Sequence, residues 1–169
     1  MPVTTKVPLG AETLARKWCI DVNAGNSDTP DWVGVFGITE FKPTQSPTTQ
    51  DTSDYDGEGW KSETVTAQSR GGEGKVKRAS TRADRTAYDP GQEILRLAAS
   101  EMGLDNEVEV RVYEDNGPDG PAVEAYQGFV GVTWEPDGGG MDAIDFASFK
   151  LLGHGKRTAI PHPAADTTP

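Results

Sequence analysis

The sequence predicts a mainly β domain, with antiparallel β-sandwich or barrel-forming sheets and one flanking α-helix. Three observations carry that class. Apolar residues make up 34% of the chain and 20 glycines and 12 prolines punctuate it, which favours turns and short strands over long helices. Glu107 to Tyr113 alternates Val108, Val110 and Val112 with Glu107, Glu109 and Arg111, the pattern of a half-buried antiparallel strand. A single segment carries helix start signals: Asp89 as cap, Pro90 at the first helical position and Gln92 three residues after the cap.

A length of 169 residues supports one domain with a real core. We place it at 15–160, between a flexible N-terminal arm, 1–14, interrupted by Pro2 and Pro8, and a Pro-rich C-terminal tail, 161–169. Ala15 to Val22 reads as the first strand, with Trp18, Ile20 and Val22 on one face. Trp32 to Phe41 reads as the second. Its two faces both carry bulk, Trp32, Phe36 and Ile38 against Val33, Val35 and Phe41, as expected of a strand covered on both sides.

The segment 42–59 follows, and nothing in it can build a core. From Thr44 to Ser53 no residue is apolar, and Asp51 to Glu58 gathers four carboxylates around Tyr55. Loops longer than about 12 to 15 residues without their own secondary structure are uncommon and are usually functional or disordered. Two readings stand: a solvated insertion, or a segment disordered in the free chain that orders against a large partner, such as another copy.

Trp60 to Gln68 reads as a third strand through its β-branched run Thr64, Val65 and Thr66. Arg70 to Arg85 is the basic stretch of an otherwise acidic chain, with Arg70, Lys75, Lys77 and Arg78 at its start. Either it is a solvated strand face or it docks an acidic surface such as Asp51 to Glu58 of another copy. The helix from Asp89 stops at Gly103, with Ile94, Leu97, Ala98 and Met102 along one stripe. After the Glu107 strand come Val123 to Trp134, with Gly128 and Gly131 marking a bulge or close approach, and Ile144 to Leu152, whose parity switch places a bulge near Ala147. Lys156 to Ile160 is a short last strand, for about eight in all.

The charge balance is 27 acidic against 16 basic residues, a net of −11. Such a chain repels duplex DNA and anionic membranes rather than gripping them. Cys19 is the lone cysteine, which excludes an intrachain disulfide and a cysteine-built zinc site and fits a reducing setting. The N-terminus carries no signal-peptide run, and no 18 consecutive residues are apolar. An enzyme is not expected: the histidines are His154 and His162, and no GxSxG, HExxH or GxxxxGK[ST] motif occurs. Paired carboxylates, Asp54 and Asp56, are the best hydrolytic candidates. Counting a calcium loop with Gly57 in its sixth position puts Thr52, Asp54, Asp56 and Glu63 at ligand positions, a partial match with Thr where Asp is usual. Neither a metal nor a cofactor is expected.

The order of parts resembles a known family. Trp18-Cys19-Ile20-Asp21-Val22-Asn23, the strand Trp32 to Phe41, the polar loop closing on Asp54-Tyr55-Asp56-Gly57-Glu58-Gly59-Trp60-Lys61-Ser62, and Asp89-Pro90-Gly91-Gln92 opening a helix resemble the major tail tube proteins of long-tailed, siphovirus-type actinobacterial phages. The similarity runs from about Trp18 to Pro161. It departs at Ser69-Arg70-Gly71-Gly72, where an aromatic residue is expected.

The resemblance implies a tail tube protein-like fold and a structural virion protein, assembled in the host cytoplasm and located in the phage tail. It implies self-association into hexameric rings whose inner sheets join in one barrel, and stacking of those rings into a tube. DNA passes through the lumen without specific binding, and the implied partners are the tape-measure, tail-tip and tail-terminator proteins. The loop, here Lys42, Asp51, Asp54, Tyr55, Asp56, Gly57, Glu58, Gly59 and Trp60, is implied to reach a neighbouring subunit or ring. Acidic side chains, with Glu107 and Glu109 as candidates, are expected to line the channel. The alternative is a monomeric β-sandwich binding module, a capsid decoration or receptor-binding domain.

Overall fold

The computed structural model describes residues 9–163. The expected arm at 1–8 and the expected tail at 164–169 lie outside the described residues. Seven strands form one antiparallel sheet: β1 (Trp18–Asn23), β2 (Trp32–Gly34), β3 (Ile38–Asp51), β4 (Glu63–Lys77), β5 (Glu107–Glu114), β6 (Ala125–Pro136) and β7 (Phe146–Ala159), in the order β2-β1-β5-β6-β7-β4-β3. One α-helix, α1 (Pro90–Ala98), lies against it.

Alternation sets the two faces. Ile20 and Val22 of β1, Val110 and Val112 of β5, Val130 and Val132 of β6, Ala147, Phe149 and Leu151 of β7, and Val76 of β4 are all buried on one side. The sheet curls around that side far enough for its ends to meet. Trp18 of β1 approaches Phe41 of β3 edge-on at 6.3 Å between ring centroids, and Phe41 stacks on Phe149 at the same distance. Those two phenylalanine rings lie over Gly72 and Gly74 of β4, so bulk on one strand meets its absence on the next. Each fully buried large side chain contributes about 1.5 to 3 kcal/mol relative to exposure, which makes this concave face the main source of stability.

The helix closes the remaining opening. Asp89 caps it, its Oδ2 accepting the Gln92 N–H at 3.0 Å. The expected stripe is corrected: Gly91, Gln92, Leu95 and Ala98 are buried, while Leu97 is 55% and Met102 87% exposed. The helix ends at Ala98, and Gly103 opens a 3-10 turn rather than stopping a longer helix, so Met102 never reaches the stripe.

The strands also differ in detail from the sequence expectation. Ala15–Lys17 is a 3-10 turn before β1. The predicted second strand is two strands, because Gly37 at φ 80° turns the chain between β2 and β3; Val35 then enters the core while Phe36 stays 72% exposed. The predicted bulge near Ala147 is absent, since Ala147, Phe149 and Leu151 share one face and Ile144 lies outside the strand. Lys156 to Ile160 is not a separate strand. β7 runs on through Thr158, and its irregularity falls between His154 and Thr158, opposite Gln127 and Phe129 of β6.

Candidate assembly surfaces

The largest correction concerns residues 42–59. Most of that segment is strand: β3 continues to Asp51 and pairs with β4 from Ile38↔Val76 out to Asp51↔Glu63. The third strand likewise starts at Glu63 rather than Trp60 and runs through Ser69-Arg70-Gly71-Gly72 into the sheet. Sequence reasoning failed here because an exposed two-stranded ladder, its outer backbone edges left to water, forms without an apolar face, so a run of Thr, Ser and Gln carries no periodic signal.

β4 is paired on its second side with β7 only from Gly71 to Lys77. Glu63 to Arg70 therefore pairs with β3 alone and forms a free-standing arm. At a strand rise of about 3.3 Å per residue, its tip lies roughly 25 Å from the point where it leaves the sheet. The tip is an ordered turn. Thr52 N–H donates to Ser62 O at 2.8 Å, Ser62 N–H to Ser53 Oγ at 2.9 Å, and Trp60 N–H to Gly57 O at 2.9 Å, with Glu58 left-handed at φ 51°. Tyr55 and Trp60 are the large apolar groups there, fully exposed and 81% exposed. Asp54, Asp56 and Glu58 surround them, also exposed, and Lys42 sits on β3 opposite Glu73, inside the sheet rather than at the tip. Ser53 holds the exposed Asp51 carboxyl below its usual pKa through side-chain and backbone hydrogen bonds.

The basic stretch is not one patch. Lys75 forms an ion pair with Asp137 at 2.7 Å, and that pairing raises its pKa. Arg78 lies past the end of β4, with its side chain only 8% exposed. It bonds Glu93 Oε1 at 2.6 Å and Gln92 Oε1 at 3.0 Å, and stacks on Tyr88 at 3.8 Å. Lys77 is exposed on the face of Lys75, opposite Val76, and Arg70 sits half-buried at the base of the arm. Two of the four cations are thus engaged within the chain.

Gln92, which the sequence marks only as a capping residue, is the hub of that region. Its Nε2 donates to Phe36 O at 2.6 Å and Lys77 O at 3.1 Å while its Oε1 accepts from Arg78, which ties α1 to the β2–β3 turn and the end of β4. Asn106 does the same at the other end of the helix, donating to Ala98 O and Val132 O, both at 2.9 Å. Neither role has a sequence signal, because it depends on carbonyls that meet only in three dimensions.

The sheet face opposite α1 is lined mainly by charged and polar side chains, with Phe129 and Tyr113 among them and His162 packed against Tyr113. Glu107 Oε1 faces His154 Nδ1 at 3.0 Å, and Glu109 accepts from Asn23 Nδ2 and Gln127 Nε2, each at 2.7 Å. Lys150 and Arg111 share that face, so charges of both signs line it. Among the described residues, no group of three or more His, Cys, Asp or Glu side chains converges as a metal site, and no helix is long and apolar enough to cross a membrane.

The fold as a whole has counterparts among solved structures. A chain from the tail of an empty gene transfer agent particle with C6 symmetry superposes at a TM-score of 0.61, covering 89% of this chain and 100% of that one at 14% identity. The fold is that of tail tube proteins. A subunit of the SPP1 tail tube gives a TM-score of 0.62 over 92% of this chain and 84% of that one, at 11% identity. A chain of the anti-feeding prophage baseplate gives 0.55 over 92% and 98%, at 7% identity. The likeness is one of fold alone: no protein-family model matches the chain, and no curated protein matches it in sequence.

Proposed function

We propose that this chain is a structural tail tube subunit of a phage-like virion, working by self-assembly and not by catalysis. Subunits associate into hexameric rings, the rings stack, and the resulting channel conducts DNA without binding it specifically. The arm of β3 and β4 carries this reading. An exposed two-stranded ribbon is marginal by itself and presents long unpaired edges, a liability that a closed or stacked assembly removes. The tail-tube fold supplies the second support, since the solved neighbours come from a gene transfer agent tail and the SPP1 tail tube.

In this reading the face opposite α1 turns to the channel. Glu107 and Glu109 are held there close to the sheet by their hydrogen bonds. An actinobacterial siphovirus as source, and tape-measure, tail-tip and tail-terminator proteins as partners, belong to the same proposal.

Negative-stain electron microscopy of the purified protein across a concentration series tests it. The comparison variant replaces residues 45–70 by Asn-Gly, a two-residue turn that joins the paired Thr44 and Gly71. Rings or tubes in the wild type that vanish in the variant are the expected outcome. Monomers at every concentration in both, including in the presence of a tail-tip initiator, would favour the monomeric binding module instead.

A further inference from the structure

Where the arm leaves the sheet, β7 does not follow it. Gly153 is the point of separation: a Cβ there would collide with the Arg70 carbonyl, so only glycine lets the two backbones touch before they diverge. Beyond it β4 leaves with β3 while β7 stays with β6, and the fork between them is a groove of about 920 Å³. Arg70, Lys156 and Arg157 line it, with Glu124 as its one lining carboxylate. Arg157 stacks on Tyr126 at 3.8 Å, and Val123 adds an apolar surface that is 83% exposed. None of the three cations takes part in an ion pair among the described residues. The groove lined by the turn before β1 and by β3, β4, β6 and β7 differs: there Glu40, Glu73 and Glu135 are mixed with Arg16, Lys42, Lys75 and Lys150, and Lys75 is already paired.

The fork has the opposite charge to the arm's tip and the same mixed character. The tip presents Asp54, Asp56 and Glu58 around exposed Tyr55 and Trp60; the fork presents cations beside an aromatic ring and an exposed valine. A chain cannot fill its own fork, because the ladder holds its tip roughly 25 Å away. We infer that the arm tip of one copy seats in the Arg70–Lys156–Arg157 fork of a second copy. The contact is head-to-tail and not self-complementary, the kind that closes into a ring or propagates as a filament. It rests on the self-assembly reading and gives it a specific socket, which keeps Arg70 of the Arg70, Lys75, Lys77 and Arg78 patch that the sequence points to and sets Lys156 and Arg157 beside it in place of the other three. Buried aromatic anchors give such a contact its lifetime, and the charges its register and encounter rate.

The test places a benzophenone amino acid at Tyr55, mixes isotopically light and heavy protein, irradiates under assembling conditions and maps the products by mass spectrometry. Light–heavy crosslinks from position 55 into 68–70, 123–126 or 153–159 are the expected result. Crosslinks into any other surface of a second copy, or into the chain's own C-terminal segment, overturn the socket and leave self-assembly standing; failure of the wild type to assemble overturns the reading beneath it. A charge exchange gives an independent readout. Asp54→Lys with Asp56→Lys raises the concentration needed for assembly at least about tenfold, and adding Arg70→Glu with Arg157→Glu restores it in part. Equal assembly of all three proteins would also overturn the socket. Circular dichroism of each variant separates misfolding from lost contact.

Discussion

β3 and β4 are the same two strands at both ends, yet they inhabit two regimes. From Gly71 to Lys77 the β4 strand has β7 on its other side and Phe41 and Phe149 packed above it, and Val76 is fully buried. From Glu63 to Ser69 every residue is exposed, and even Val65 keeps half of its surface in solvent. The β3–β4 ladder runs through both halves, with a shift between Thr48 and Thr49, and the inner half is hydrogen-bonded to β7 as well. The larger difference is apolar burial, because a backbone hydrogen bond exchanged with water nets only about 1 kcal/mol. The inner half makes the monomer stable; the outer half inherits its register from the inner half and leaves its surfaces for something else.

The comparison breaks most easily in the core. Phe149→Ala removes a side chain that is 1% exposed and contacts Phe41 across the curl, so unfolding by urea should show a loss of about 3 to 5 kcal/mol. Next comes Arg78→Met, which keeps the volume, strands the buried Gln92 Oε1 and leaves Glu93 with Arg96 as its remaining arginine partner. A loss of about 1 to 3 kcal/mol is expected. A loss below about 1 kcal/mol would mean the α1 junction rests on packing alone.

The core half also carries acid sensitivity. Lys17 hydrogen-bonds Glu114 at 2.9 Å and, helped by the N–H groups of Glu124 and Val123, holds its carboxyl at a pKa of about 2 against a usual 4.5. The folded chain therefore takes up that proton less readily than the unfolded one. Its stabilisation is full above pH 4.5 and is lost as pH falls toward 2. Urea midpoints measured from neutral pH down to that range should fall more steeply in the wild type than in Glu114→Gln; parallel curves would remove the Lys17 pair from the account.

What was legible in the sequence follows the same division. Glu107 to Tyr113 and the Asp89 cap were readable because burial on one face imposes period two and a helix start needs a capping oxygen. The arm was not readable as structure, since Thr48, Thr49 and Gln50 pair through backbone atoms, which leave no side-chain signature in the sequence. Its tip, Asp54 to Trp60, stood out by composition alone, and the fork proposed to receive it from another copy did not. Arg70 and Arg157 are 87 positions apart in sequence and become neighbours only because β7 and β4 part at Gly153.

The smallest effect is also the sharpest test. In the monomer, replacing residues 45–70 by Asn-Gly removes the outer ladder without touching the core, so the change in unfolding free energy should stay within about 1 kcal/mol. Val65→Ala in the intact arm should change it by less than about 0.5 kcal/mol. Amide hydrogen exchange adds resolution: Thr64 to Gln68 should exchange through local opening, far faster than Val110 or Val132, and slow down when copies assemble. A truncation that costs as much as Phe149→Ala would show the arm bracing its own sheet. The two halves of the ladder would then be one structural unit, and the arm would lose its claim to exist for a neighbour.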